Sequence, residues 1–289
     1  MKVNRFWLPI FLAPSIILFL LIYALPLIIV VSTSFTDYRL ISPTISFVGL
    51  ANYARMLSDA AFFEALRNTL LWILIHCTLH IALGVGLALI LYKKPFGWKF
   101  VRTAYIVPNI ISNAAVGLIF LNIFNPSFGV LNSFLSWVGL EELQRNWLMQ
   151  SATAFPSVTM IWLLFAGYTT ILVLSHALSI DESIIEAAKI DGATNFRLDL
   201  FIMLPLLKKM IGTTTVMAAA YMLRMFDLIF ITTAGGPGRR TTNLPLYLYG
   251  VFMGEHNYGY ANAIGVVIIF LGVVSMVLIN RIYGVNKED

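Results

Sequence analysis

The two histidines of the segment HCTLH have a type and a spacing that could support chemistry. His76 and His80 lie four positions apart, which is the spacing of two metal ligands on one face of a helix. A zinc-protease motif needs a glutamate directly after the first histidine, and Cys77 occupies that position. We therefore favour packing or hydrogen bonding between helices for this pair. A role of His80 in lining a polar pathway stays open as the alternative.

Arg224 and Asp227 are the second candidate, because they are the only charged residues in the apolar run from 210 to 234. Residues three apart share a helical face, and charges within apolar helices usually face a cavity or a partner. We predict that Arg224, Asp227 and Tyr221, one turn earlier, line a polar pathway. The alternative is an intrahelical salt bridge between the two charged side chains.

Amide and hydroxyl side chains are frequent in the run before residue 124. Such side chains either join neighbouring helices or bind polar solutes, and both readings stay open here. Asn122 is included among the pathway candidates, and the other members of the set are Asn109, Ser112 and Asn113.

Nucleotide chemistry is not expected from this chain. The glycine-rich segment Gly235–Gly238 lacks the lysine of a phosphate-binding loop, and the pattern GxxxxGK[ST] does not occur. The single cysteine, Cys77, excludes an intramolecular disulfide framework and a cysteine-rich metal site. We predict a non-enzymatic protein that binds no cofactor or metal of its own.

The elements that position these residues are membrane helices. Hydrophobic residues make up 59% of the 289 residues and charged residues only 11%, whereas a soluble domain carries about a quarter charged residues. A spanning helix needs about 20 apolar residues, so charge-free windows locate the spans. We predict an all-α polytopic membrane protein with one domain over 1–289, and helices near 9–35, 68–92, 100–124, 154–178, 208–233 and 259–281.

The distribution of basic residues predicts the orientation. Six helices place both termini on one side, and 12 of the 19 Lys and Arg residues fall in the terminal and connecting segments of that side. The positive-inside rule then places both termini and the loop 179–207 in the cytoplasm. The net charge of +5 is therefore explained by topology, and no nucleic-acid partner is expected. Between the first two spans, residues 47–59 predict a short surface helix.

The loop 179–207 is patterned as two helices around a glycine. Ser179 and Glu182 have the spacing of a capping box, and Gly192 stands where a C′ glycine ends a helix. Thr194 could cap a second helix, and Pro205 is predicted to bend or restart the chain.

The polar face of this loop carries more acids than bases. An interfacial helix in lipid headgroups would need a Lys- and Arg-rich face, so a protein partner is favoured over lipid. The acids are Glu182, Glu186, Asp191 and Asp199, against the bases Lys189 and Arg197.

The same loop resembles the EAA motif of permease subunits of bacterial binding-protein-dependent ABC importers. Glu186-Ala187-Ala188 is followed after three residues by Gly192, and after nine more by Ile202-x-Leu204-Pro205. Other segments resemble the sugar-importer branch, with its maltose-type and glycerol-phosphate-type permeases. They are FVGLANYARML, LRNTLLW, GVLN, NWL, FDLIFITTAGGPGRRTTNLPLYLY and YGYANAIG.

The resemblance implies the type I importer permease fold, with six membrane helices and a cytoplasmic coupling helix that docks on a separate ATPase. The implied coupling residues are Glu186, Ala187, Ala188, Asp191, Gly192, Ile202, Leu204 and Pro205.

The partners implied by this resemblance are a second, related permease in a heterodimer, two cytoplasmic ATPase subunits that use ATP and magnesium, and an extracytoplasmic solute-binding protein. The implied substrate is a sugar or oligosaccharide, and the setting is the lipid of a bacterial cytoplasmic membrane. A secondary solute transporter that needs no ATP, or an intramembrane enzyme with metal at His76 and His80, are the alternatives. The first is disfavoured because the spans lack a relay of carboxylates.

Overall fold

The computed structural model describes residues 7–40 and 44–286. Lys2, Arg5 and Lys287, which the topology prediction uses, lie outside the described residues. Within these ranges the chain is helical, and β-structure is limited to isolated bridges that pair Thr36 with Phe47 and Arg39 with Asn257. Five helices are long and apolar enough to cross a membrane, or six if one sharply bent pair counts as a span. The all-α polytopic prediction is confirmed.

The first half of the chain builds the predicted first three spans. A π-helical turn, Leu20–Ala24, joins the first two helices, and a second, His76–His80, joins the fourth and fifth, so each pair is continuous. The predicted short surface helix is present as the third helix. The helices are α1 Trp7–Phe19, α2 Leu25–Thr33, α3 Ala51–Leu57, α4 Ala60–Ile75, α5 Ile81–Tyr92, α6 Trp98–Ile110, α7 Asn113–Ile123 and α8 Val130–Trp137.

The second half builds the remaining spans and the patterned loop. A π-helical turn, Asp199–Met203, joins the twelfth and thirteenth helices. The helices are α9 Ala154–Leu163, α10 Gly167–Ala177, α11 Glu182–Ile190, α12 Asn195–Leu198, α13 Leu204–Met222, α14 Asp227–Thr232, α15 Leu244–Gly254 and α16 Tyr258–Tyr283.

The predicted helix near 100–124 is wrong as a single straight rod. α6 and α7 meet at an angle of 102°. Ile111 and Ser112 are extended, and the Ser112 Oγ accepts a hydrogen bond from the Ala115 amide at 3.3 Å, so Ser112 caps α7. An N-cap satisfies amides that a helix start leaves unpaired, which stabilises the bend.

The predicted helix near 208–233 is wrong at both ends. It ends at Met222, and Asp227 begins a separate helix, α14. The buried Asn243 side chain donates to the Met225 carbonyl in this break. At its N-terminal end this helix extends back to Phe196 without interruption. The π-helical turn Asp199–Met203 lies just before Pro205. The Leu204 amide bonds the Asp199 carbonyl, and the helix continues through the proline that follows, so Pro205 does not restart the chain.

The described residues group into two compact units, and the single domain over 1–289 stays a prediction. One unit draws on Met1–Ala60 and Tyr247–Phe270, and the other on Ala61–Leu246 and Leu271–Asp289. In the first unit the Asp59 carboxylate accepts hydrogen bonds from the hydroxyls of Tyr247 and Tyr260, and Arg55 pairs with Glu255 at 2.8 Å. These contacts join α3 and the start of α4 to α15 and α16.

The helices of the second unit pack closely where a glycine of one helix contacts a neighbouring helix. A Cβ at Gly84 of α5 would lie 2.6 Å from the Thr169 Cγ2 of α10, and a Cβ at Gly167 would lie 1.9 Å from the Tyr105 carbonyl oxygen of α6. α10 is therefore held against both α5 and α6, and these contacts fix the walls of the site described next.

Candidate functional site

A cavity of about 420 Å³ lies within the second unit. Its walls come from the π-helical turn His76–His80, the bend between α6 and α7, the α9–α10 break, α13 and the start of α14. The polar and aromatic residues that line it are His76, His80, Asn109, Asn113, Trp162, Phe165, Tyr168, Thr169, Thr214, Tyr221 and Arg224.

The histidine pair contributes directly to this wall. The two rings meet edge to face with centroids 4.0 Å apart, and His76 also contacts the ring of Tyr221 at 5.5 Å. His80 Nδ1 lies 3.0 Å from the Leu163 carbonyl oxygen. Because a carbonyl only accepts, His80 Nδ1 is the donor in this contact.

Two buried polar atoms of the cavity lining have no hydrogen-bond partner among the described residues. They are His76 Nδ1 and Trp162 Nε1. Buried polar atoms are almost always hydrogen-bonded, so these two are exceptions in the wall of the cavity. Tyr221, in contrast, donates from its hydroxyl to Asn113 Oδ1 at 2.9 Å.

The cavity brings together three of the five predicted pathway residues, His80, Tyr221 and Arg224. The exposed Asn122 bonds the Leu118 carbonyl of its own helix and does not line the cavity. Asp227 also lies outside the lining. Asp227 begins α14, whereas Arg224 lies in the turn between α13 and α14, so the expected shared helical face is wrong. Arg224 and Asp227 form no ion pair in the part of the chain that the structure describes.

The loop after α10 forms an exposed helical hairpin over residues 182–204, which contains α11, the turn at Gly192 and α12. Asp181, not Ser179, caps α11, because its Oδ1 accepts the Ser183 amide at 3.0 Å. The capping-box prediction for Ser179 is therefore wrong. The Ser183 hydrogen bond lowers the pKa of the Asp181 carboxyl, since it stabilises the charged form.

The glycine turn at the end of α11 is confirmed. Gly192 has a φ of +85°, and its amide bonds the Lys189 carbonyl. The Ala193 amide bonds the Ala188 carbonyl at 2.9 Å, which completes a Schellman motif. Asp191 is the C-cap. Only glycine adopts this φ without strain, so the turn needs the residue that the sequence has.

One face of the hairpin is exposed to solvent, and the other packs against the helices of the second unit. Glu186, Ala187, Asp191 and Gly192 are exposed, and Ile190 is 86% exposed. Ile185 and Ala188 belong to the buried cluster formed with α5, α10 and α13, and Ile202 and Leu204 pack against it. Pro205 is exposed. An ion pair between Lys93 Nζ, after α5, and the Asp199 carboxylate adds a polar link.

Comparison with known proteins assigns residues 80–285 to the family described as the binding-protein-dependent transport system inner membrane component. The chain belongs to this family. The permease is 33% identical over 279 residues to the multiple sugar-binding transport system permease protein MsmF of Streptococcus mutans, with 96% of this chain and 95% of that protein covered. It is 34% identical to the sulfoquinovosyl glycerol transport system permease protein SmoG of Agrobacterium fabrum, with 90% and 84% covered.

A solved structure also matches the permease closely. A chain of a bacterial alginate ABC transporter, crystallised with an alginate pentasaccharide-bound periplasmic protein, superposes with a TM-score of 0.84 at 25% identity. The match covers 97% of the permease and 95% of that chain. The type I importer permease fold is confirmed, and the permease is a multi-pass membrane subunit of the ABC transporter class.

Sequence reasoning missed several residues of the cavity. Trp162, Phe165 and Tyr168 come from the α9–α10 break, which was predicted as the interior of one helix. The signal that was available is the segment Phe165-Ala166-Gly167, because a glycine next to small and aromatic residues is typical of a break or a close contact.

Proposed function

We propose that this permease is the transmembrane subunit of an ATP-driven sugar importer. It forms half of the translocation pathway and couples that pathway to a separate ATPase through the segment 182–204. One observation carries the proposal. A single helix of 27 residues, Phe196–Met222, begins in the exposed hairpin and ends beside the cavity. At 1.5 Å per residue it spans about 40 Å, so a displacement at its hairpin end reaches Tyr221.

The exposed face of α11 supports an ATPase as the hairpin's partner. Glu186 offers a carboxylate to a basic group of the partner, and the small side chain of Ala187 allows the partner to approach closely. The turn at Gly192 has open space where a Cβ would stand, so the partner's backbone can approach there. The nucleotide and its magnesium belong to the ATPase in this proposal, and the permease contributes no catalytic residue.

The cavity chemistry supports a carbohydrate as the solute. His80, Asn109 and Arg224 line the cavity and supply polar groups that can bond sugar hydroxyls. The aromatic rings of the lining supply faces for the apolar side of a sugar ring. The relatives named above are described as permeases for multiple sugars and for sulfoquinovosyl glycerol.

The complete importer in this proposal contains a second, homologous permease, two ATPase subunits and a solute-binding protein on the opposite side of the membrane. Both termini and the hairpin lie in the cytoplasm. ATP binding closes the ATPase pair, the hairpins move together, and the cavity changes from inward-open to outward-open. The hairpin then biases a two-state equilibrium through contacts that differ between the states.

The test of coupling is the variant Glu186→Lys in the complete complex, reconstituted with its binding protein and a panel of sugars. Reversal of this charge is expected to lower sugar-stimulated ATPase activity at least tenfold, while assembly of the membrane subunits is retained. Glu142→Lys, on an exposed turn outside the hairpin, makes the same charge change and is expected to have no effect. Unchanged stimulation in Glu186→Lys would contradict the coupling role.

Two further measurements address orientation and mechanism. A cysteine at Thr194 is expected to react with a membrane-impermeant reagent only after the cells are opened. Labelling from outside intact cells would overturn the orientation. Solute uptake into vesicles that contain the permease without any ATPase would instead support a secondary transporter.

A further inference from the structure

A second groove, of about 260 Å³, lies between α6 and α10 and shares no lining residue with the larger cavity. It is formed by the first turns of α6 and one residue of α10. Its lining consists of Trp98, Lys99, Arg102, Thr103, Ile106 and Ile171.

The polar end of the groove carries two cations. Lys99 and Arg102 lie three apart on α6, and neither takes part in an ion pair among the residues that the structure describes. No Asp or Glu occurs in the sequence from 65 to 140. The groove therefore holds two cations that no ion pair among the described residues neutralises, next to the positive end of a 13-residue helix.

The other end of the groove is apolar. Ile106 follows Arg102 by one turn, and Ile171 of α10 faces the same space. The neighbouring Phe100 and Val107 are exposed. Trp98 lies beneath Lys99, whose Nζ is 5.9 Å from the ring centroid. A tryptophan beside basic residues at the start of an apolar helix is typical of the level of lipid headgroups.

We propose that this groove binds an anionic phospholipid, with its phosphate between Lys99 and Arg102 and an acyl chain along Ile106 and Ile171. The cationic and apolar ends match the two parts of one amphiphile. Free phosphate would use only the first of these ends. Thr103 also lines the groove, and its hydroxyl donates to the Lys99 carbonyl of its own helix at 3.0 Å. The acidic hairpin is the opposite case, because its exposed charges would repel such a lipid.

The experiment uses the assembled transporter in nanodiscs that contain phospholipids with brominated acyl chains. Bromine quenches nearby tryptophan fluorescence, and the Trp98→Phe variant identifies the part of the signal that comes from Trp98. Phosphatidylglycerol is compared with phosphatidylcholine of the same chains, each titrated against unlabelled phosphatidylcholine. We expect quenching of Trp98 at a markedly lower mole fraction of the anionic lipid.

Lys99→Gln/Arg102→Gln is expected to reduce this preference by roughly fivefold for each cation removed. Lys94→Gln/Arg281→Gln removes two exposed cations outside the groove and serves as the matched control. Inorganic phosphate at high concentration is expected to compete only weakly. Equal quenching by both lipids, equal effects of the two double variants, or no quenching of Trp98 because another subunit covers the groove would each overturn the proposal.

Discussion

The exposed hairpin and the 420 Å³ cavity both place polar side chains in an apolar protein, but they satisfy them differently. In the hairpin, polar groups other than Asp199 are exposed or bond within a few residues, as Asp181 does with Ser183. In the cavity, two polar side chains bond partners from distant segments. Tyr221 and Asn113 are 108 positions apart, and His80 and Leu163 are 83 apart. The hairpin is therefore a local structure, whereas the cavity exists only when several helices pack.

The largest effect is expected from Gly167→Ala, which tests the dependence of the cavity on packing. The new Cβ would meet the Tyr105 carbonyl, a backbone atom that cannot move without shifting α6. Overpacking of this kind costs about 1–3 kcal/mol, so the melting temperature of the purified complex should fall clearly. Gly86→Ala, on α5 with open space around its Cβ, is the control and should not lower it. Equal melting temperatures for the two variants would contradict the close contact.

A smaller effect is expected from Tyr221→Phe, which removes one long-range hydrogen bond of the cavity. Asn113 Oδ1 loses its donor, and hydrogen bonds between membrane helices contribute about 0.6 kcal/mol on average. We also expect a higher sugar concentration for half-maximal ATPase stimulation. Tyr168→Phe is the control, because the Tyr168 hydroxyl has no hydrogen bond among the described residues. If both variants behaved alike, the hydrogen bond to Asn113 would have no role in the cavity.

The hairpin should tolerate changes to its polar link better than the cavity does. The Lys93 side chain is 42% exposed and the Asp199 side chain 16%, so solvent reaches the cation of this pair and screens it. Lys93→Gln is expected to cost less than about 0.5 kcal/mol. A double-mutant cycle with Asp199→Asn measures the coupling, and Lys94→Gln is the neighbouring control. A coupling energy near zero would show that apolar packing alone holds the hairpin against the neighbouring helices.

The smallest effect is expected from a fall in pH, which protonates the Asp181 carboxylate that caps α11. The Asp181 pKa is lowered in the folded hairpin, so its contribution is fully present above the unfolded value of about 3.9. The contribution is lost as the pH falls through the lower folded value. The protection factors of amides at the start of α11, which correct for the intrinsic pH dependence of exchange, should therefore fall in acid, and Asp181→Asn should remove this fall while the cap is kept. A fall of similar size in Asp181→Asn would mean that another group is responsible.

Sequence reasoning succeeded where each residue decides its own environment. Charge-free windows marked the spans because a charge within the bilayer is costly wherever its neighbours lie. The turn at Gly192 was predicted because a C′ glycine and its hydrogen bonds lie within six residues. Sequence reasoning failed at Pro205, because the π-helical turn that accommodates it depends on hydrogen bonding that a proline does not reveal.

The sequence by itself therefore determined the membrane class, the family and the exposed hairpin with its acidic face. Only the tertiary structure decided which polar residues share the cavity. It left Arg224 in a turn by ending α13 at Met222 and placed Asp227 at the start of α14, brought Trp162 and Tyr168 to His80, and bent α6 against α7 by 102°. The physical reason is that a local contact follows from spacing along the chain, whereas a cavity wall follows from which helices pack together.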